Sequence, residues 1–204
     1  QDTHFVNCTG LDDDDTAKQH RTSAYDIALM SRELLKNHPL IKKYTTIWMD
    51  TVRNGAFGLS NTNKLIRFYP GATGLKTGFT SGAGYCLSAS AQRDGMELVA
   101  VVMGAKTSQA RNAACKELLD YGFANFAVIS PELSEVPGVP VKLGRQDTVN
   151  AALGEATGLL IDKSQKSSVT TEVTLEERVT APVTRGQQIG TLSIKSGEQT
   201  LRQI

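Results

Sequence analysis

Between positions 74 and 80 the chain reads Gly74-Leu75-Lys76-Thr77-Gly78-Phe79-Thr80, a lysine and two hydroxyls set between glycines, and Ser81-Gly82-Ala83-Gly84-Tyr85-Cys86 follows directly. Glycine has no Cβ, so a ligand can approach the backbone closely there. Lys76 supplies positive charge, and Thr77 and Thr80 supply hydroxyl donors. The set suits an anionic group, a carboxylate or a phosphate. Residues 71–77 partly match the glycine-rich phosphate loop of nucleotide-binding proteins. That loop needs glycine immediately before its lysine and a helix after it; here Leu75 precedes Lys76, and strand and turn residues follow. Nucleotide binding is disfavoured on both counts.

The remaining chemistry-bearing residues are less organised. Cys8, Cys86 and Cys115 are too far apart for a CxxC metal or redox pair. Cys86 lies in an apolar run and Cys115 in a helical pattern, so both read as buried thiols. His4, His20 and His38 all lie upstream of Cys86 and Cys115, with no cysteine-enzyme signature beside them. Asp12 to Asp15 are contiguous acids without the alternate spacing and glycine of a calcium loop, and they read as a solvated loop. With 22 basic and 21 acidic residues and a net charge of +1, no strong field favours nucleic acid or an anionic membrane surface. No stretch reaches the roughly 18 apolar residues of a spanning helix, and the first nine residues do not form a signal sequence.

The elements that must position Lys76 and Thr77 follow from periodicity. A helix begins near Thr22 or Ser23, with Ala24, Ile27, Met30, Ser31, Leu34 and Leu35 on one face, and Asn37-His38-Pro39 ends it. Pro39 opens a short second helix through Lys43. Residues 45–50 read as a strand, and Arg53-Asn54-Gly55 as a hairpin turn. A strand ends near Thr80, and strands at 85–91 and 96–103 are joined through Asp94-Gly95, a strong hairpin signal. The apolar run 99–102 fits a strand buried on both faces. A helix over about 107–123 packs through Ala110, Ala113, Ala114, Leu118 and Leu119. After Phe126 helical periodicity disappears. Short β-branched runs at 139–143, 169–175, 179–183 and 189–194, with turns at Thr184-Arg185-Gly186 and around Gly197, mark a small all-β domain. The last residues, Leu201 to Ile204, stop within what reads as a strand. The expected fold is α+β, an antiparallel sheet with helices over 1–126, then an all-β domain over 127–204, with the boundary near 127–131.

A Lys-Thr-Gly triplet on a strand fits the third motif of penicillin-recognising serine acyl-transfer enzymes. The chain resembles the low-molecular-mass penicillin-binding proteins that act as D-alanyl-D-alanine carboxypeptidases. The resemblance runs through His4-Phe5-Val6-Asn7 with Thr9-Gly10-Leu11, His20 with Thr22-Ser23-Ala24-Tyr25-Asp26, and Asn61-Thr62-Asn63-Lys64-Leu65. It continues through Gly74 to Thr80, Ala83-Gly84-Tyr85-Cys86-Leu87, Ala100-Val101-Val102-Met103-Gly104 and Arg111. It implies a serine β-lactamase/transpeptidase-like domain, incomplete at its N-terminus, followed by the family's small β domain. The implied activity is acyl transfer on peptidoglycan stem peptides, with a serine nucleophile, a lysine base and backbone N–H groups for the oxyanion. On this resemblance Lys76 supports the site electrostatics, Thr77 contacts the substrate carboxylate, and the backbone after Gly78, near Phe79, gives an oxyanion donor. Thr80 and Arg111 complete the carboxylate pocket, and no metal or cofactor is required. Phe79 departs from the tyrosine or histidine that relatives often carry. Implied partners are the stem peptide and, where the full site is present, β-lactam antibiotics as inhibitors. The implied location is the bacterial cell envelope, with any membrane anchor outside this chain.

The family also needs Ser-x-x-Lys and Ser-x-Asn motifs. No serine here has lysine three positions later or asparagine two positions later. The expectation is therefore the C-terminal half of a catalytic domain plus the β domain, inactive by itself. The alternative is a non-catalytic truncated relative that serves as a peptidoglycan-binding or interaction module.

Overall fold

The computed structural model describes residues 2–12, 14–130, 132–133, 135–154 and 158–204. Gln1, Asp13 of the acidic run and Pro131 at the end of the expected boundary lie outside the described residues. The chain divides into two compact units, Gln1–Ala124 and Asn125–Ile204. Among the described residues no helix is long and apolar enough to cross a membrane.

In the first unit, Ser23 takes extended geometry and its hydroxyl accepts the Asp26 N–H at 3.1 Å, which starts helix α1, Ala24–Asn37. Pro39 opens a 3₁₀ turn that runs into α2, Lys42–Thr45. The strand expected over 45–50 therefore begins later, as β1, Met49–Val52. The β-branched Thr45-Thr46-Ile47 run imitates a strand, but the hydroxyls of Thr45 and Thr46 bond back to the carbonyls of Ile41 and Lys42, at 3.3 and 2.6 Å, as helical residues do. β1 pairs antiparallel with β2, Phe57–Ser60, across the expected Arg53-Asn54-Gly55 turn, whose residues all take positive φ. One turn of helix, α3, Leu65–Phe68, leads into β3, Ala72–Thr80. β3, β4 (Gly84–Arg93) and β5 (Met96–Ala105) form an antiparallel sheet in that order. Asp94 and Gly95, with φ of 48° and 76°, make the tight β4–β5 turn. Helix α4, Ser108–Asn125, follows.

The core lies between α4 and one face of this sheet. Leu87, Ala89 and Ala91 of β4 and Ala100 of β5 meet Cys115 and Leu119 of α4, with Leu65 and Tyr69 closing one end. Alanines on the sheet keep its surface low, so α4 can settle closely on it. The buried stripe of α4 is Arg111, Cys115, Leu119 and Gly122, so of the expected face only Leu119 is buried. Ala110, Ala113 and Leu118 are exposed, and Ala114 is half-buried. The apolar side chains of α4 fall on more than one face, so composition pointed to the wrong one. Burial pushes the Cys115 thiol up to about 11, against the pull of Arg111.

The other sheet face is polar at its centre, where Ser88 and Ser31 of α1 share a buried hydroxyl bond of 2.7 Å. On α1, Ser31 and Leu35 are buried as expected, while Ala24, Met30 and Leu34 are exposed. The run 99–102 is not buried on both faces. Only Ala100 is buried, and Val99, Val101 and Val102 are half-buried because β5 is an outer strand of the described sheet.

Asp26 ties the N-terminal segment to α1, accepting from the Thr3 hydroxyl at 2.6 Å and the Asp2 N–H at 2.9 Å. These bonds, the Thr3 hydroxyl foremost, hold its pKa below the ordinary carboxylate value. A depressed folded pKa gives stability that is present above the unfolded value of about 3.9 and lost as pH falls through the folded one. Asp26→Asn is therefore expected to lower the melting temperature at pH 7, with the gap to wild type closing toward pH 2. Thermal melts followed by the fluorescence of Trp48 check this, and a gap of equal size at both pH values overturns it.

The second unit contains β6 (Phe126–Ile129), β7 (Val139–Lys142), β8 (Thr148–Val149), β9 (Leu159–Asp162), β10 (Val169–Leu175), β11 (Val179–Thr180), β12 (Gly190–Ser196) and β13 (Gln199–Gln203). They form three small sheets, β6-β9, β11-β7-β8 and β10-β12-β13. Val139, Ile161, Val179, Leu192 and Ile194 supply the buried side chains. The expected strands at 139–143, 169–175 and 189–194 are present, and β13 takes in Leu201, Arg202 and Gln203 of the expected terminal strand. The run 179–183 is a strand only over Val179–Thr180. β6, β8 and β9 carry too short or too mixed a pattern to stand out in sequence.

Candidate active site

β3 carries Lys76, Thr77, Gly78, Phe79 and Thr80 along the outer edge of the sheet, so one row of its backbone groups is not taken up by β4. In register with β4, Lys76 faces Ser88, Thr77 faces Leu87, Gly78 faces Cys86 and Phe79 faces Tyr85. The two glycines of the motif differ in purpose. A Cβ on buried Gly74 would come within 3.1 Å of Thr45 Oγ1 and 3.3 Å of Ser90 Oγ, so this glycine serves close packing. A Cβ on exposed Gly78 would meet only Cys86 Cβ, at 4.0 Å, which leaves the backbone open to a ligand.

Lys76 is exposed, and its Nζ donates to the Thr77 carbonyl. The Thr77 hydroxyl lies 2.7 Å from that of Thr62. Thr80 is drawn into the β3–β4 turn, where its Oγ1 accepts the Ala83 N–H at 3.0 Å. Phe79 is 58% exposed and packs on Tyr85, with ring centroids 4.3 Å apart.

Arg111 reaches the sheet one strand further in. Its guanidinium lies 6.0 Å from the Tyr85 ring centroid, and Nη1 donates to the Cys86 carbonyl at 3.4 Å. Nε and Nη2 both donate to Asn112 Oδ1, at 3.1 and 3.0 Å. Arg111 thus touches the residues that pair with Gly78 and Phe79. It is only 5% exposed, and among the described residues no ion pair engages it. Burial lowers its pKa, and Cys115, Cys86 and Tyr85 act in the opposite direction. A buried guanidinium without a counter-charge is unfavourable unless a ligand brings one.

The family model described as D-alanyl-D-alanine carboxypeptidase matches residues 1–107, more than half of the chain. The chain belongs to the D-alanyl-D-alanine carboxypeptidase family. A second model, penicillin-binding protein 5, C-terminal domain, matches residues 134–204. D-alanyl-D-alanine carboxypeptidase DacF of Bacillus subtilis is 38% identical over 98% of this chain and 52% of its own length. The structure of penicillin-binding protein 5 from Haemophilus influenzae is similar over 99% of this chain and 58% of that one, with a TM-score of 0.70 and 29% identity. Penicillin-binding protein D2 from Listeria monocytogenes, in its cefotaxime-bound form, is 36% identical with a TM-score of 0.55, over 59% of this chain and 48% of that one. The fold is the α+β arrangement of these carboxypeptidases with a C-terminal β domain. The chain spans about half the length of the curated relatives it matches.

Several residues that shape this edge carried no role in the sequence reading. Asn61, Thr62 and Asn63 enter the sequence analysis only as part of the family resemblance, yet Asn63 is buried and donates to the Gly74 carbonyl at 2.8 Å. Tyr85 lies between Phe79 and Arg111, and Asn112 holds two of the Arg111 nitrogens. Nothing in the sequence distinguishes Asn112 from a surface asparagine.

Proposed function

We propose that this chain forms the carboxylate-gripping wall of a serine-type D-alanyl-D-alanine carboxypeptidase that acts on peptidoglycan stem peptides in the bacterial cell envelope. In this reading a serine hydroxyl attacks the carbonyl between two D-alanines, the C–N bond breaks, and the terminal D-alanine leaves with the proton. Water then hydrolyses the ester to free enzyme and shortened peptide. Lys76 supplies positive potential, Thr77 and Thr80 donate to the substrate carboxylate, and the backbone near Phe79 donates to the oxyanion. Arg111 balances the carboxylate charge from behind β4.

The observation that carries the reading is Arg111, buried beside the partners of Gly78 and Phe79 with no anion among the described ion pairs. A C-terminal carboxylate is the ligand that would complete it. Phosphate is disfavoured because the residues around Lys76 form a strand edge and not a loop that leads into a helix.

The serine and its lysine are not among these 204 residues, so the complete protein is proposed to join this chain to a Ser-x-x-Lys segment. β-Lactams would inhibit it by acylating that serine. Incubating the 204-residue chain with a fluorescent penicillin is expected to give no covalent band, and the complete protein is expected to give a stoichiometric one. A stoichiometric label on the chain alone, or none on the complete protein, overturns the proposal.

A further inference from the structure

The segment Asn61-Thr62-Asn63 meets β3 at Gly74 and Thr77 and is anchored on both sides of its central threonine. Asn61 Nδ2 donates to the carbonyls of Thr45 and Ile47, at 3.2 and 2.9 Å, and Asn61 Oδ1 accepts the Asn63 N–H at 2.9 Å. Asn63 Oδ1 accepts the Leu65 N–H at 3.2 Å, and its Nδ2 donates to Gly74 O. Between these anchors the hydroxyl of Thr62 meets that of Thr77 at 2.7 Å, an ordinary O–H···O distance.

We propose that Thr62 is a positioning residue for Thr77, donating to Thr77 Oγ1 so that the Thr77 proton points to the substrate carboxylate. The proposal rests on the reading of β3 as the carboxylate-gripping wall. A hydroxyl has one proton and two acceptor sites, and it rotates freely unless something fixes it. The pair has two arrangements. If Thr77 donates to Thr62, its proton is spent and none faces the ligand. If Thr62 donates to Thr77, the Thr77 proton is left for an acceptor, and an ionised carboxylate, which can only accept, selects this arrangement. Donation into Thr77 also polarises its O–H and strengthens the outward bond. The segment holds Thr62 in place through bonds that do not involve its own side chain, so the hydroxyl pair is free to serve the ligand.

Thr62 is exposed, so the loss of its hydroxyl leaves no cavity and no buried polar group. This separates the positioning role from a structural one. In the complete protein, with a diacyl-lysyl-D-alanyl-D-alanine peptide as substrate, Thr62→Val is expected to raise KM about fivefold to tenfold, in the range of one lost hydrogen bond between neutral groups. The melting temperature should stay unchanged, and Thr62→Ser, which keeps the hydroxyl, should restore KM. In a Thr77→Val background the Thr62→Val effect should vanish, because nothing remains to be positioned. An unchanged KM in Thr62→Val, failure of Thr62→Ser to restore it, or an undiminished effect in the Thr77→Val background overturns the inference while the carboxylate wall stands. A wild-type complete protein that neither cleaves the peptide nor takes the penicillin label overturns the wall itself, and this inference with it.

Discussion

Arg111→Ala in the complete protein is expected to raise KM for a D-alanyl-D-alanine peptide by at least about thirtyfold, and up to a few thousandfold. The range follows from the roughly 2–5 kcal/mol lost when one partner of a buried, hydrogen-bonded charge pair is removed, at about 1.4 kcal/mol per tenfold. The guanidinium is only 5% exposed and is held by Asn112 and the Cys86 carbonyl, so it does not reorganise when a ligand arrives. A fixed donor in a dry setting is worth more to an incoming carboxylate than a mobile one in water. Arg111→Lys keeps the charge but loses the planar fork, and its effect should lie between wild type and alanine. Without ligand the arginine carries an unpaired buried charge, so its removal should destabilise the fold less than burial alone suggests. Kinetics and thermal melts on both variants check this. A KM within threefold of wild type in Arg111→Ala, with the fold intact, removes Arg111 from the carboxylate site.

What could be read in the sequence, and what could not, divides along the range of the forces involved. Ser23, Arg53-Asn54-Gly55 and Asp94-Gly95 act through their own backbone neighbourhood, and all three appear where the residues indicate. The strands at 84–93 and 96–105 were legible for the same reason, since a turn and two apolar runs carry their own register. Choices made by tertiary contact were not legible. Residues 45–50 have strand chemistry, but the helical turn begun at Pro39 runs on through Thr45. The Lys-Thr-Gly stretch stood out because lysine and hydroxyls between glycines are unusual, yet the assignment of Arg111 came from the family resemblance alone. A charged residue on a helix is ordinarily solvated. Only the docking of α4 on the alanines of β4 and β5 turns it inward. Asn63 shows the same limit, because its value lies in the Gly74 carbonyl it meets eleven residues later in the chain.

The adjacent leucines Leu118 and Leu119 give the sharpest test of how α4 docks. Leu119 is 1% exposed and belongs to the cluster with Leu87, Ala89, Ala91 and Cys115, whereas Leu118 is 49% exposed. Truncating a fully buried leucine removes its transfer free energy and leaves a cavity, together about 2–5 kcal/mol. An exposed leucine on the same helix changes stability by roughly 0.5 kcal/mol or less, because alanine is at least as good a helix former. Leu119→Ala is therefore expected to lower the urea midpoint of the first unit by about 1–2 M, at a slope of roughly 1–3 kcal/mol per M. Leu118→Ala should leave that midpoint nearly unmoved. Trp48 is the sole tryptophan of the chain and lies in the first unit, so its fluorescence follows that unit separately from the β-rich one. If Leu119→Ala does not fold, Leu119→Val, a smaller truncation, supplies a measurable midpoint. Similar shifts at the two positions, or a larger one at Leu118, would mean that α4 docks through the face its alanines suggest. Arg111 would then turn out toward solvent, and the buried charge on which the carboxylate site is argued would be lost with it.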